Sequence, residues 1–294
     1  MRRSTLPTRL TALGIGMIAA ATLGIASAGS AEAKAPAPAS ADVSSTTPTL
    51  SADAKAAGRA KYGKDASAAE ILDAYWTPAR MRAAKPADSA ATYQAASTAY
   101  AKKEATDRAN GTAKKTNEGP VRTTDGAPSK VFGAGASGPT AAAYNPNAPY
   151  YTPKAYTQGK VFFSEPDGNY VCSGTIVNSE GKDTVWTAGH CVHSGSGGSW
   201  NTNWTFVPAY DDDLLNPRPY GTWSASALWS RTAWTNSSDF SQDMGVAIMN
   251  TNFGGWHIVD YFGGQGLTVN RGKSGVLEYA FGYPAEWPFD GGNL

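Results

Sequence analysis

Six short runs rich in Val, Ile, Thr and aromatic residues follow one another in the second half of the 294-residue chain. Turn-forming Gly, Asn, Asp and Ser residues separate them. Runs of this length between such turns predict antiparallel strands of a sandwich or a barrel. Six strands are enough to close a small barrel, so we expect an all-β fold. The predicted strands cover residues 160–164, 170–177, 184–187, 204–209, 221–229 and 244–250. A further predicted strand over 276–283 lies beyond these six and begins a separate structural unit.

The N-terminus has the layout of an export signal. Arg2, Arg3 and Arg9 precede an apolar run over 10–25, and small residues follow it up to Ala33. This pattern predicts a secretory signal peptide over residues 1–33 and a secreted, extracellular protein. An uncleaved membrane anchor is the competing interpretation, but the run is short and rich in Ala and Gly. We therefore expect no stable membrane association.

Residues 34–150 differ in composition from the β-rich part. Residues 34–60 are rich in Ala, Pro, Ser and Thr and predict a flexible linker. A capping-box pattern at 67–70 predicts a helix near 67–77, which Pro78 would end. A second helix is expected near 88–110. The whole segment is interpreted as a pro-region or linker, and 151–294 as the β-rich domain.

Composition narrows the possible partners. The formal net charge is +1, and the sequence contains no phosphate-binding loop and no basic patch, so no nucleic-acid partner is expected. Cys172 and Cys191 are the only two cysteines. Outside the cytoplasm a lone pair of cysteines predicts a disulfide.

His190, in the stretch VWTAGHC, is open to three interpretations. It could be a structural histidine bonded to a backbone carbonyl. It could form a metal site with Cys191 and His193, although three ligands this close on an extended segment point in different directions. It could also be a general base, which needs an acid partner and a nucleophile.

Asp243 is the candidate acid partner. It stands just before a predicted strand in SQDMGVAIMN, where a carboxylate can reach a histidine on a neighbouring strand and orient its ring. Asp239 is the rival candidate, but no apolar strand follows it directly.

The motifs TAGHC, upstream CSGT and downstream QDMGVAIM together resemble the chymotrypsin-like serine endopeptidases, and especially their secreted bacterial trypsin-like and glutamyl-endopeptidase branches. The resemblance covers residues 156–294, and TPARMRAAKP at 77–86 resembles pro-segments of secreted actinobacterial proteases. It implies a double antiparallel β-barrel, made as a zymogen, with His190 as general base, Asp243 as its orienting acid and a Cys172–Cys191 disulfide. It also implies polypeptide substrates, hydrolysis through an acyl-enzyme, a monomer, and no cofactor or metal.

The nucleophile of that family is not found after Asp243. The single serine there is Ser274, in GKSGVLE, without a second glycine behind it. Ser196, in HSGSGGSW, looks like a nucleophile turn but follows His190 too closely and is interpreted as a flexible loop. We therefore expect a complete first barrel and only the start of a second, as in a C-terminally truncated chain. The alternative function is a non-catalytic secreted binding protein on the same barrel.

Two other features lead to weaker expectations. Asp211, Asp212 and Asp213 could attract calcium, but their spacing favours a solvated turn. His257 has no acidic partner within a motif and is expected to be structural.

Overall fold

The structure is a computed structural model that describes residues 42–112, 119–132, 156–271, 280–285, 289 and 291–294. Among these residues, no helix is both long enough and apolar enough to cross a bilayer. The strands, in chain order, are β1 (Val43–Thr46), β2 (Lys85–Pro86), β3 (Arg122–Thr123), β4 (Gln158–Glu165), β5 (Gly168–Val177), β6 (Thr184–Thr187), β7 (Thr202–Pro208), β8 (Trp223–Arg231), β9 (Gly245–Met249) and β10 (Thr268–Val269).

Six of these strands close into an antiparallel barrel in the order β4–β5–β6–β9–β8–β7–β4. The pairing of β8 with β9 and that of β4 with β7 close the barrel. The barrel confirms the predicted all-β fold of chymotrypsin-like type, and its strands lie within two residues of the predicted bounds. The strand expected over 276–283 falls mostly outside the described residues, and 280–283 contains no strand.

Side chains of β4 alternate between two apolar clusters. Val161 and Phe163 belong to the cluster inside the barrel, together with residues from every other barrel strand. Phe162, between them, faces outward into a second cluster. A strand that is apolar on both faces requires a cover on its outer face. Residues from before position 85 supply much of that cover, and Tyr210 and Tyr283 complete it.

The N-terminal helices form the larger part of this cover. Trp76 is fully buried against Phe162, with ring centroids 5.4 Å apart, and its indole Nε1–H donates to the carbonyl of Asn203 at 2.8 Å. Tyr75 contacts Ser164 through its hydroxyl, at 3.2 Å. The helices are α1 (Ala52–Tyr62), α2 (Ala68–Tyr75), α3 (Pro78–Arg82), α4 (Ala91–Ala109), α5 (Thr232–Ser237) and α6 (Ile258–Phe262).

Local sequence explains these helices. Ser67 and Glu70 form the predicted capping box at the start of α2. Pro78 does not simply end α2: it is the first residue of α3, where its missing N–H costs nothing, and Thr77 caps that helix.

The flexible linker expected over 34–60 differs from the structure in its described part. Val43–Thr46 pairs with Arg231–Leu228 as an added edge strand of the barrel, and Ser51 caps α1. Backbone pairing and an Ala-rich helix need few large apolar side chains, which is why composition suggested a linker here.

Candidate active site

His190 and Asp243 are brought together by two paired strands. β6 and β9 pair antiparallel, with Thr187 opposite Gly245. His190 lies in a 3-10 turn just after β6, and Asp243 ends a 3-10 turn just before β9. The two side chains therefore meet at one rim of the barrel.

The carboxylate of Asp243 accepts two hydrogen bonds from His190. The backbone N–H donates to Oδ1 at 2.7 Å, and ring Nδ1 lies 2.8 Å from Oδ2. An ionised carboxylate only accepts, so in the neutral ring Nδ1 carries the proton and Nε2 has the lone pair. This tautomer leaves Nε2 able to take a proton from a neighbouring hydroxyl. The rival Asp239 instead accepts from the N–H and hydroxyl of Ser241.

The turn that carries His190 is covalently tied to β5. Cys172 and Cys191 form the expected disulfide, with Cα atoms 6.1 Å apart. Their sulfurs and the His190 ring lie within 4.8 Å of one another, the one such donor cluster among the described residues. A thiolate binds metal, whereas a sulfur in a disulfide has no charge to offer. His193 Nδ1 accepts from the N–H of Gly195 at 3.0 Å. The donor set of the metal interpretation therefore does not fit a metal ion.

Three buried side chains hold the carbonyls of the turn. Asn201 Nδ2 donates to the carbonyl of His190 at 3.2 Å, and Trp204 Nε1 donates to that of Cys191 at 2.9 Å. Trp234 Nε1 donates to the carbonyl of His193 at 2.8 Å. Rigid support of this kind keeps a general base in place. The sequence pattern does not single out these three supports, because the carbonyls that they bind follow no fixed spacing along the chain.

Gly189 is required by close packing. A Cβ at this position would lie 2.8 Å from Asp243 Oδ1 and 2.8 Å from Trp234 Cδ1. The glycine of the TAGHC motif thus lets the carboxylate approach the backbone of the turn.

A further carboxyl group lies on the His190 side of the barrel. Burial raises the pKa of Glu165, at the end of β4, and repulsion by Asp167 adds to this effect, while attraction to the protonated form of His190 would oppose it. No motif in the sequence pointed to Glu165, because its proximity depends on how β4 and β5 pair.

The serine candidates do not meet His190 in the described part of the chain, where no hydroxyl hydrogen-bonds to its ring. Ser274 lies outside the described residues. Ser196 sits in a tight turn in which Gly198 N–H donates to the carbonyl of Gly195 at 3.0 Å, and its own N–H donates to Ser238 Oγ at 2.8 Å.

The other acidic and histidine candidates have protein partners. Asp212 accepts from Tyr210 at 2.8 Å and pairs with Arg82 at 2.9 Å. A cation already balances this part of the Asp211–Asp213 cluster, which favours the turn interpretation over calcium. His257 does have an acidic partner: its Nδ1 lies 2.6 Å from Asp183.

Comparison with known proteins links the chain to proteases. No family model matches it. It is 30% identical over 139 residues to a protein named extracellular metalloprotease from Bacillus subtilis (strain 168). That match covers 46% of this chain and 40% of the relative, so the chain spans less than half the length of the curated relative it matches.

Two solved structures are also similar. A thermostable serine protease from an extremophilic microorganism is 34% identical, with 48% of this chain and 63% of that chain covered and a TM-score of 0.38. The protease Anisep from Arthrobacter nicotinovorans is 38% identical, with 48% and 61% covered and a TM-score of 0.38. None of the three names states a cleavage preference, so none supports the glutamyl-endopeptidase branch. The chain is similar to microbial proteases over about half of its length.

Proposed function

We propose that this chain carries the base–acid pair of a secreted serine endopeptidase. The observation that carries the proposal is the double hydrogen bond between His190 and Asp243 at the barrel rim. The disulfide supports secretion, since such bonds persist in oxidising compartments. Polypeptides are the proposed substrates, and no nucleic-acid or membrane partner is proposed. The glutamyl-endopeptidase branch rests on the sequence resemblance alone.

The chemistry follows from the tautomer. His190 Nε2 would take the proton of a serine hydroxyl as that oxygen attacks the scissile carbonyl, and would then give it to the leaving amine. Asp243 would stabilise the imidazolium that forms between these two steps. Collapse of the tetrahedral intermediate leaves an acyl-enzyme, which water hydrolyses with His190 again acting as base. The nucleophilic serine is proposed to lie outside the described residues.

A metal-dependent reaction is the rival suggested by the name of the Bacillus relative. The described residues near His190 offer no fitting donor set, because both cysteines are oxidised to a disulfide. We therefore propose a serine mechanism without a resident metal or cofactor.

A non-catalytic secreted binding protein on the same barrel is the second candidate. It is favoured by the lack of any serine hydroxyl bonded to His190 within the described residues. Under this proposal His190 and Asp243 would stabilise the rim without reacting.

Fluorophosphonate labelling of the mature protein isolated from culture medium separates these functions. A serine endopeptidase gives one labelled serine, and we expect labelling and casein cleavage to vanish in His190→Ala and to survive a metal chelator. Loss of cleavage with the chelator, without labelling, would establish a metalloprotease. Neither labelling nor cleavage, with or without added divalent metal, would overturn the proposal in favour of the binding protein.

A further inference from the structure

β5 is open along part of one edge. β4 pairs with one side of β5 from Gly168 to Thr175, whereas β6 pairs with the other side only from Thr175 to Val177. Before Thr175 none of the described barrel strands pairs with the β6 side of β5, so this edge can receive another strand up to Cys172. The Ser173 carbonyl already accepts from Thr187 Oγ1 at 2.8 Å. This open stretch includes Cys172, which is bonded to the neighbour of His190.

A segment from the N-terminal region lies on this open edge. β2 pairs with β5 in parallel, Lys85 opposite Tyr170 and Pro86 opposite Val171. Every other pair of strands named here is antiparallel. The segment is thus an addition to the barrel edge and not part of its antiparallel pattern.

The same segment continues beside His190. Ala87 and Ala90 are 5% and 4% exposed and pack into the interior cluster of the barrel. A cavity of about 260 Å³ is lined by residues 86–88 and by His190, together with residues 171–173 and 283–285. The segment therefore forms one wall of the space in front of the proposed base.

Tyr93, in the first turn of α4, covers the His190 ring. The ring centroids of Tyr93 and His190 are 4.6 Å apart, and Phe240 contacts Tyr93 at 5.3 Å. The His190 side chain is only 17% exposed as a result of this packing and of the rim around it. Burial, together with the negative charge of Asp243, raises the pKa of Tyr93, so its hydroxyl stays neutral.

The helix α4, which carries Tyr93, is only weakly packed against the rest of the chain. None of the 19 residues of α4 is buried. Its two ion pairs, Lys103–Asp107 and Arg108–Glu104, both lie within the helix and therefore do not attach it to the barrel. Elements with little buried apolar surface open locally at low free energy.

We propose that the open edge of β5 at residues 170–172, with the cavity beside His190, binds an extended polypeptide, and that the chain's own residues 85–93 fill this site and cover His190. Strand addition to an exposed sheet edge is a general mode of peptide recognition, in which the peptide backbone supplies the binding. A substrate strand would therefore compete with the segment, which makes it an intramolecular inhibitor. This step rests on the proposed function, but the site itself is testable without catalysis.

Chemical modification of histidine measures the cover directly. The full chain, Tyr93→Ala and the matched control Tyr100→Ala are treated with a carbethoxylating reagent, and each histidine is followed by peptide mapping. Tyr100 lies on the same helix as Tyr93 and also contacts Phe240. His257, whose side chain is 45% exposed, serves as an internal reference. We expect His190 to react about tenfold faster in Tyr93→Ala, as when the open fraction rises by one order of magnitude, and unchanged in Tyr100→Ala.

An unchanged His190 rate in Tyr93→Ala, or an equal rise in Tyr100→Ala, would overturn the cover. Peptide binding is then tested with Ala87→Arg, whose added bulk displaces the segment, and a synthetic peptide of residues 83–95. We expect the peptide to restore slow modification of His190, and the same peptide with Tyr93→Ala to restore it poorly. If circular dichroism shows a folded variant and the peptide restores nothing, the binding site is wrong.

These outcomes are independent of those for the proposed function. Restored protection in a protein that neither labels nor cleaves would leave the peptide site valid and the endopeptidase wrong. Labelling and cleavage without any protection would leave the endopeptidase valid and this inference wrong.

Discussion

Asp243 fixes His190 at two points, because one carboxylate oxygen accepts the backbone N–H and the other contacts ring Nδ1. The ring is thereby fixed relative to the backbone of its own residue. A histidine held in this way keeps one tautomer and one direction for Nε2, which is what a general base requires.

The first prediction replaces this carboxylate by an amide. Asn at position 243 can accept only one of the two bonds, since its NH₂ group faces the other donor. We expect Asp243→Asn to lower the free energy of unfolding by about 1.5–3 kcal/mol, the range for hydrogen bonds to charged groups. Urea unfolding at neutral pH measures the change. Asp213→Asn, at an exposed side chain, is the control and should change it by less than about 0.5 kcal/mol, and equal losses in both variants would contradict the assignment.

The second prediction concerns the close approach at Gly189. A methyl group there meets Asp243 Oδ1 and Trp234 Cδ1, both at 2.8 Å. We expect Gly189→Ala to destabilise the protein by about 1–3 kcal/mol through overpacking. Gly181→Ala is the control, because nothing lies within 4 Å of a Cβ at that position. If thermal unfolding gives the same midpoint for both variants, Asp243 and Trp234 do not pack tightly against Gly189.

The third prediction tests the attachment of the N-terminal helices. Trp76→Phe keeps a buried ring but removes the N–H that donates to the Asn203 carbonyl. An unsatisfied buried carbonyl should cost about 1–3 kcal/mol of unfolding free energy, measured with urea. Trp256→Phe, at a side chain that is 39% exposed, is expected to be nearly neutral. A larger loss of unfolding free energy in Trp256→Phe than in Trp76→Phe would contradict the proposed attachment of the N-terminal helices.

The fourth prediction concerns pH. Burial lowers the pKa of His193, and its Nδ1 accepts the N–H of Gly195, so the folded protein holds this ring neutral. The unfolded chain binds a proton below about pH 6.5 that the folded chain does not. Stability from His193 is therefore present above that pH and falls as the pH drops below it, by up to about 1.4 kcal/mol per pH unit.

The measurement compares His193→Asn with the parent by urea unfolding between pH 7.5 and 5. Asn can accept the Gly195 N–H without titrating, so the difference between the two curves isolates His193. We expect the parent to lose more stability than the variant on acidification. Parallel curves would show that the ring is already protonated in the fold or is hydrated.

The sequence predicted the barrel strands because half-buried strands carry a local signature that needs no knowledge of their partners. It also placed His190, Asp243 and both cysteines, through motifs that resemble a protease family. It could not predict the covering role of Trp76, because the carbonyl of Asn203 that it binds is far away in the chain. The sequence did not reveal the partner of His257 for the same reason, since Asp183 is 74 residues away in the chain.

The N-terminal region was the least accurately predicted part. Val43–Thr46 is half-buried, with no run of large apolar residues to mark it as a strand. Its stability comes from backbone pairing with β8, which composition does not report. The parallel pairing of Lys85 and Pro86 with β5 is likewise set by the open edge that receives them.

β1 and β2 cover strand edges of the barrel that would otherwise be unpaired. Both add to barrel strands, β1 at Leu228–Arg231 and β2 at Tyr170–Val171. Unpaired strand edges are templates for association with other chains. A barrel without residues 43–86 would present two such templates to its neighbours, so we expect these residues to protect the barrel against aggregation.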